Sequence, residues 1–177
     1  VFIVDQHATD EKFNYERLKA TTVLQTQSLI APMRLDLTAQ EEDVVIDNLS
    51  MFEMSGFVFK VDADAAPRQR LQLVGRPFSK ATEFGVQDIH EMIFLLKEWP
   101  GKPVRPSRIE SMLAMRACRS SVMVGTALTH ANMRSFVHRM ADMEAPWSCP
   151  HGRPTMRHLF DRARLPLPTL HCDVLQQ

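Results

Sequence analysis

Val1-Phe2-Ile3-Val4-Asp5-Gln6-His7-Ala8-Thr9-Asp10-Glu11-Lys12-Phe13-Asn14-Tyr15-Glu16-Arg17-Leu18-Lys19 opens the chain, and the change of pattern inside it decides the fold class. Four apolar residues in a row read as a short buried strand. From Gln6 to about Lys19 the residues are rich in Glu, Lys, Leu and Ala, which favour helix. Asp5 stands at the corner between them. A strand that passes through an acidic corner straight into a helix begins a mixed α/β (or α+β) architecture.

Working outward, Gln27 to Leu37 holds Leu29, Ile30, Met33, Leu35 and Leu37 around Pro32, an extended segment edged or interrupted by the proline. Thr38-Ala39-Gln40-Glu41 has capping-box spacing and predicts a helix to about Ser55, stopped by Gly56. Phe57 to Val61 and Arg70 to Val74 predict a strand pair. Ile89, Met92, Ile93 and Leu96 fall at i, i+3, i+4 and i+7 after Gly85, a helical stripe. Pro100, Pro103 and Pro106 mark a linker, and Ser107-Arg108-Ile109-Glu110 has the spacing of a second capping box, opening a helix through Cys118 to about Val124. Met133, Phe136, Val137 and Met140 give one more stripe, and the prolines from Pro146 onward break regular structure. The order β-α-β-α-β-β-α-α-α predicts two lobes: residues 38–98 as an insertion, and 1–37 with 99–177 as a lobe built from both chain ends. That folding would bring the Asp5 corner beside Cys118 and the Cys149 loop.

The 177 residues suffice for one domain or two small lobes, and 45% hydrophobic with 24% charged residues is globular composition, which excludes disordered and collagen-like chains. The formal charge is zero, yet residues 1–100 carry 10 basic and 16 acidic side chains and residues 101–177 carry 11 and 5, so the parts stand at −6 and +6. Neutrality is therefore an average over two opposite fields. Three cysteines, Cys118, Cys149 and Cys172, leave one thiol odd under any disulfide scheme, and the chain opens without a basic leader or cleavage site. We expect a reducing compartment, cysteines available for metal or packing, and no membrane span, since no apolar run approaches about 18 residues. Val1 lies inside an apolar run without an initiator Met, so we expect a piece of a longer chain.

His7 and Glu11 are one helical turn apart on one face, with Asp5 just before the helix start. In isolation this reads more readily as a surface His–Glu pair. Cys149-Pro150-His151 lets a thiolate and an imidazole reach one ion, while its bland counterpart is a buried cysteine beside an exposed histidine. Cys118, on a helix lined by Met and Ala, reads alone as a small core hydrophobe. Together these residues offer N, S and O ligands for a binuclear site suited to phosphate-ester hydrolysis. Arg119, Arg153, Arg157 and Arg162 would add positive charge for a phosphodiester backbone, or form a solvated basic face.

Three motifs in order carry a resemblance to a family. Asp5-Gln6-His7-Ala8 with Glu11 and Glu16 is similar to the DQHA-x-x-E-x-x-x-x-E motif of the endonuclease-type MutL proteins of DNA mismatch repair; Ala117-Cys118-Arg119 resembles their ACR motif, and Cys149-Pro150-His151-Gly152-Arg153-Pro154 their C-P-H-G-R-P motif. The text around them looks like the eukaryotic PMS-type subunit, over about residues 1–160. The resemblance implies that His7, Glu11, Cys118, Cys149 and His151 are metal ligands, Glu11 being our choice as bridging carboxylate. It implies that Asp5, His7 and Glu11 act in catalysis, and we expect Glu16 to orient the helix rather than coordinate. It also implies nicking of one strand of duplex DNA. Two divalent ions would serve: zinc in the Cys/His site, and Mn²⁺ or Mg²⁺ for activity. ATP would act only through an amino-terminal domain outside this sequence. Arg119, Arg153 and Arg157 become the DNA-contact candidates.

Gln27-Ser28-Leu29-Ile30-Ala31-Pro32 resembles the family's clamp-binding segment, in which Gln27 would hydrogen-bond while Leu29 and Ile30 fill an apolar pocket on a sliding clamp ahead of Pro32; a plain edge strand is the alternative. The implied partners are an MLH-type subunit in a heterodimer, the clamp and duplex DNA, and the implied location is the nucleus. The lobe of 1–37 and 99–177 becomes the dimerisation lobe with the metal site, and 38–98 the external, regulatory lobe. His171 and Cys172 are expected to be non-ligands. The competing reading is a zinc-stabilised, non-catalytic dimerisation or scaffold module, which has less use for Asp5 and Glu11 beside its histidine.

Overall fold

In the computed structural model, which describes residues 1–79 and 82–164, strands and helices follow one another as the mixed class requires. The order is β1 (Phe2–Val4), α1 (Gln6–Thr21), β2 (Thr26–Arg34), α2 (Ala39–Asp47), α3 (Leu49–Met54), β3 (Val58–Val61), β4 (Leu71–Pro77), α4 (Val86–Glu98), α5 (Ser107–Ser120), α6 (His130–Ala141) and β5 (Met156–His158), then a 3-10 turn at Arg162–Arg164. Two compact units divide the chain: Val1–Phe13 with the described residues from Ser121 onward, and Asn14–Ser120. The expected boundaries at 37/38 and 98/99 thus differ from those of the units, which fall at 13/14 and 120/121. The second half of α1, β2 and α5 lie in the unit that holds residues 38–98.

The Asn14–Ser120 unit is built on an antiparallel sheet of order β2-β4-β3. In central strand β4, Leu71, Leu73, Gly75 and Pro77 are buried in alternation, the period-2 signature of a strand with one face on a core. Gly75 is required there, because a Cβ would overlap the Cγ2 of Thr26 on β2. Ile89, Met92, Ile93 and Leu96 of α4 are all buried, so the stripe faces the core as its spacing predicts. Phe52, Phe57, Val45, Ile109 and Leu113 complete the interior.

Three local expectations are corrected. The helix from Thr38 begins with the predicted capping box, Glu41 N–H donating to Thr38 Oγ1 at 3.3 Å and Thr38 N–H to Glu41 Oε2 at 2.9 Å. It is not continuous to Ser55, because Asn48 interrupts it, turning its side-chain amide back to the Val44 carbonyl at 2.8 Å. The box at Ser107 does not form: the Ser107 N–H and hydroxyl both donate to Glu91 of α4, the former at 3.0 Å, and Glu110 receives the Tyr15 hydroxyl and Lys19. Finally, α5 stops at Ser120 instead of running to Val124.

In the other unit, β1 pairs antiparallel with β5, with Phe2 opposite His158, Ile3 opposite Arg157 and Val4 opposite Met156. β1 was expected to be buried, yet Phe2 is 59% and Ile3 57% exposed, because among the described residues it pairs with β5 alone, in a two-stranded ribbon. Helix α6 starts at Thr129, whose side chain accepts the Asn132 N–H at 3.2 Å. It buries Phe136 and Met140 while Met133 and Val137 stay exposed.

Candidate metal centre

Asp5 ends β1 and caps α1, its Oδ1 accepting the Ala8 N–H at 2.7 Å. Its own N–H donates to the Thr155 carbonyl at 2.8 Å, which ties the helix entry to the chain just after Cys149–Pro154. Thr155 is fully buried and its hydroxyl bonds the Pro146 carbonyl, so the loop between is pinned at its base. Within that loop the Gly152 N–H donates to the Cys149 carbonyl at 2.9 Å and the Cys149 N–H to the Arg153 carbonyl at 2.8 Å. Gly152 closes the turn at φ +81°, a left-handed conformation that glycine adopts without strain.

This framework brings Glu11 and the C-P-H turn together. Glu11 is completely buried and its Oε1 is hydrogen-bonded to His151 Nδ1. His7, one turn earlier on α1 and also buried, places Nε2 3.8 Å from Glu11 Oε2. Glu11, Cys149 and His151 each offer one ligand atom, and the three atoms lie within 4.8 Å of one another. Glu11 Oε2 has no hydrogen-bond partner among the described residues. A buried carboxylate oxygen without a donor is costly, and a divalent cation is the partner that the surrounding imidazole nitrogen and thiol sulfur could share with it. The donor set fits a zinc-type ion.

The other expected site residues fall as follows. Asp5 is exposed and borders a groove of about 570 Å³ with Gln6, Thr126, Arg153, Pro154 and Arg157, so the two candidate arginines stand beside the helix cap. Cys118 belongs to the Asn14–Ser120 unit, half-buried on the last turn of α5, and among the described residues no disulfide joins it to Cys149. Arg119 is exposed on α5, where it lines an open groove with Ser79, Met115 and Arg116. Glu16 is half-buried on α1. Arg162 is exposed in the 3-10 turn. Gln27 to Pro32 lie on edge strand β2, where pairing with β4 is regular at Gln27 and Ser28, resumes only at Met33, and leaves residues 29–32 as an irregularity. Ile30 is fully exposed there, whereas Leu29 packs against the core. His171 and Cys172 lie outside the described residues.

Sequence reasoning passed over Asp10 and Arg139. Asp10 is buried, with 6% exposure, its Oδ2 accepting the Val122 N–H at 3.0 Å and its Oδ1 3.2 Å from Arg139 Nη1. The Arg139 guanidinium lies over the Phe13 ring at 4.8 Å and near the Phe136 ring at 5.6 Å. The available signal was an aspartate, a poor helix former, inside a run of good ones.

The description "MutL C terminal dimerisation domain" matches residues 1–128, nearly three quarters of the sequence. The chain belongs to this family. This MutL C-terminal domain is 54% identical over 159 residues to "Mismatch repair endonuclease PMS2" of Homo sapiens and to that of Gallus gallus, covering 90% of this chain and 18% of each relative. It is 48% identical over 164 residues to "DNA mismatch repair protein PMS1" of Saccharomyces cerevisiae, covering 91% of this chain and 19% of the relative. The domain thus spans under a fifth of the length of these relatives. The family match includes the His7–Glu11 and Cys118 segments and ends before the C-P-H-G-R-P loop.

Proposed function

We propose that this chain is the metal-binding, strand-nicking segment of a PMS-type mismatch-repair endonuclease, hydrolysing one phosphodiester of duplex DNA while paired with an MLH-type MutL subunit. The observation that carries the reading is the buried Glu11 carboxylate, set between His7 and His151 beside Cys149, with one oxygen lacking a donor. A site built only to hold zinc would be satisfied by thiols and imidazoles and would not need to bury a carboxylate in this way. The names of the Homo sapiens and Gallus gallus relatives, which include the word endonuclease, support the same reading.

Glu11, Cys149 and His151 would hold zinc, with His7 and, on the strength of its ACR motif, Cys118 completing the ligands. When bound, the divalent ions, zinc and an activating Mn²⁺ or Mg²⁺, supply an acidified water and positive charge at the leaving oxygen. Asp5 keeps one oxygen on the helix cap and has the other for the reaction, while Arg153, Arg157 and Arg119 receive phosphates. Gln27, Ile30 and Pro32 contact the sliding clamp, Ile30 being the outward anchor, while Leu29 is turned to the core of its own unit. Nuclear location and ATP binding by other parts of the protein complete the proposal.

Asp5→Asn is the decisive variant, since asparagine caps a helix about as well as aspartate and so preserves the fold. In a Mn²⁺-supported plasmid assay with the full heterodimer, the variant is expected to lose nicking by at least about 100-fold. A folded Asn variant that nicks at the wild-type rate rejects the catalytic assignment. Zinc retained by the Cys149→Ser, His151→Ala double variant rejects the ligand set.

A further inference from the structure

We propose that Asp10 is a positioning residue which, by anchoring Val122, fixes the tautomer and ring orientation of His7 at the metal centre; this rests on His7 being a ligand, as read above. His7 Nδ1 lies 2.8 Å from the Val122 carbonyl oxygen. A carbonyl only accepts, so Nδ1 carries the hydrogen and donates, and the lone pair of the neutral ring sits on Nε2. Nε2 is the atom that faces Glu11 Oε2 at 3.8 Å, where a metal would be bound. A ligating histidine needs this second hydrogen bond to hold the ring and choose the nitrogen.

Residues 122 and 123 lie in neither helix nor strand, so the place of the Val122 carbonyl depends on the side chains that hold this stretch. Asp10 takes the Val122 N–H at 3.0 Å, and Gln6 Nε2 donates to the carbonyls of Met123 at 3.1 Å and Thr126 at 3.0 Å. His7 and Asp10 are three residues apart on α1 and therefore neighbours on its surface, so one residue of the irregular segment receives both. Asp10 is itself fixed by Arg139 at 3.2 Å, and Arg139 by the rings of Phe13 and Phe136. The order of dependence is thus Phe13 and Phe136, Arg139, Asp10, Val122, His7. A clip serving the fold alone would lower stability on removal and leave the tautomer of His7 as it was.

The test uses the chain labelled with ¹⁵N-histidine and stripped of metal, in which long-range ¹H–¹⁵N spectra report each tautomer, together with Zn²⁺ affinity from competition with a chromophoric chelator. Wild type is expected to show His7 as the Nδ1–H form. Asp10→Ala is expected to give a mixture of tautomers and zinc binding weaker by roughly 10–100-fold. Asp10→Asn still accepts from Val122 but loses the charge facing Arg139, and should fall between the two. The proposal is overturned by an Nε2–H form in the wild type, or by an Asp10→Asn protein that matches wild type in both readouts. It is equally overturned by a folded Asp10→Ala protein that keeps the single tautomer. Should Asp10→Ala not fold, the wild-type and Asn results decide. Zinc retained after loss of Cys149 and His151 would instead reject the metal reading, while the tautomer, read without metal, still reports on Asp10.

Discussion

Single residues in this protein are held mainly by backbone groups that secondary structure leaves over, and Arg105 shows it most plainly. It is buried, with 6% exposure, and its guanidinium donates to the carbonyls of Thr22 at 2.5 Å, Lys19 at 3.1 Å and Met54 at 3.4 Å, acceptors beyond or within the last turns of α1 and α3. Burial pushes its pKa below the ordinary guanidinium value, and the carbonyl cage keeps it in place. Arg105→Met, close in length and without donors, would strand these acceptors, and we expect a loss of about 3 kcal/mol, read as a lower urea midpoint at unchanged slope. Arg105 could not be recognised from sequence, and Asp10 only by its low helix propensity, because their partners are main-chain atoms and distant residues that no motif records. The structure brings His7, Glu11, Cys149 and His151 together, and what pointed to them in the sequence was motif resemblance, since the spacings alone read as a surface pair and a buried cysteine beside an exposed histidine.

Elements behaved according to how local their determinants are. The alternation of β4 and the stripe of α4 carry their own burial pattern, and both were readable. The box at Ser107 was not, because Glu91, sixteen residues away, competes for the same serine. Where the Thr38 box does form, hydrogen bonds from the Thr38 backbone and hydroxyl hold the Glu41 carboxyl below its ordinary 4.5. A carboxyl lowered on folding stabilises above that value, and the contribution is lost as pH falls through the folded pKa. Thr38→Ala should therefore cost about 1 kcal/mol near neutral pH and distinctly less near pH 3, by thermal melts at both. On β2, the irregular pairing separates two side chains that sequence treats alike. Ile30→Ala should reduce clamp-stimulated nicking and leave the melting temperature within about 1 °C, whereas Leu29→Ala, cut from the core, should destabilise by about 2 kcal/mol. Equal stimulation of the Ile30 variant by the clamp would return the strand to a plain edge.

For the molecule as a whole, zero net charge is uninformative about DNA. The groove beside Asp5 is bordered by Arg153 and Arg157, whereas acidic side chains concentrate in residues 1–100. The mixed class followed from local pattern, but the unit boundaries did not, since they fall within α1 and at the end of α5, where composition does not change.

Glu11 and His151, which meet directly, are 140 residues apart in the chain. An ion shared between them would close about four fifths of the 177-residue chain into one ring, much as a disulfide would, but with a clasp that a chelator can undo. At free zinc about 100-fold above its Kd the clasp adds about 2.7 kcal/mol, so stripping the metal should lower the melting temperature by about 5–10 °C. It should also make the residues after Pro146 the first to be cut by protease. A melt indifferent to chelator would mean that the ring is held shut by protein contacts alone.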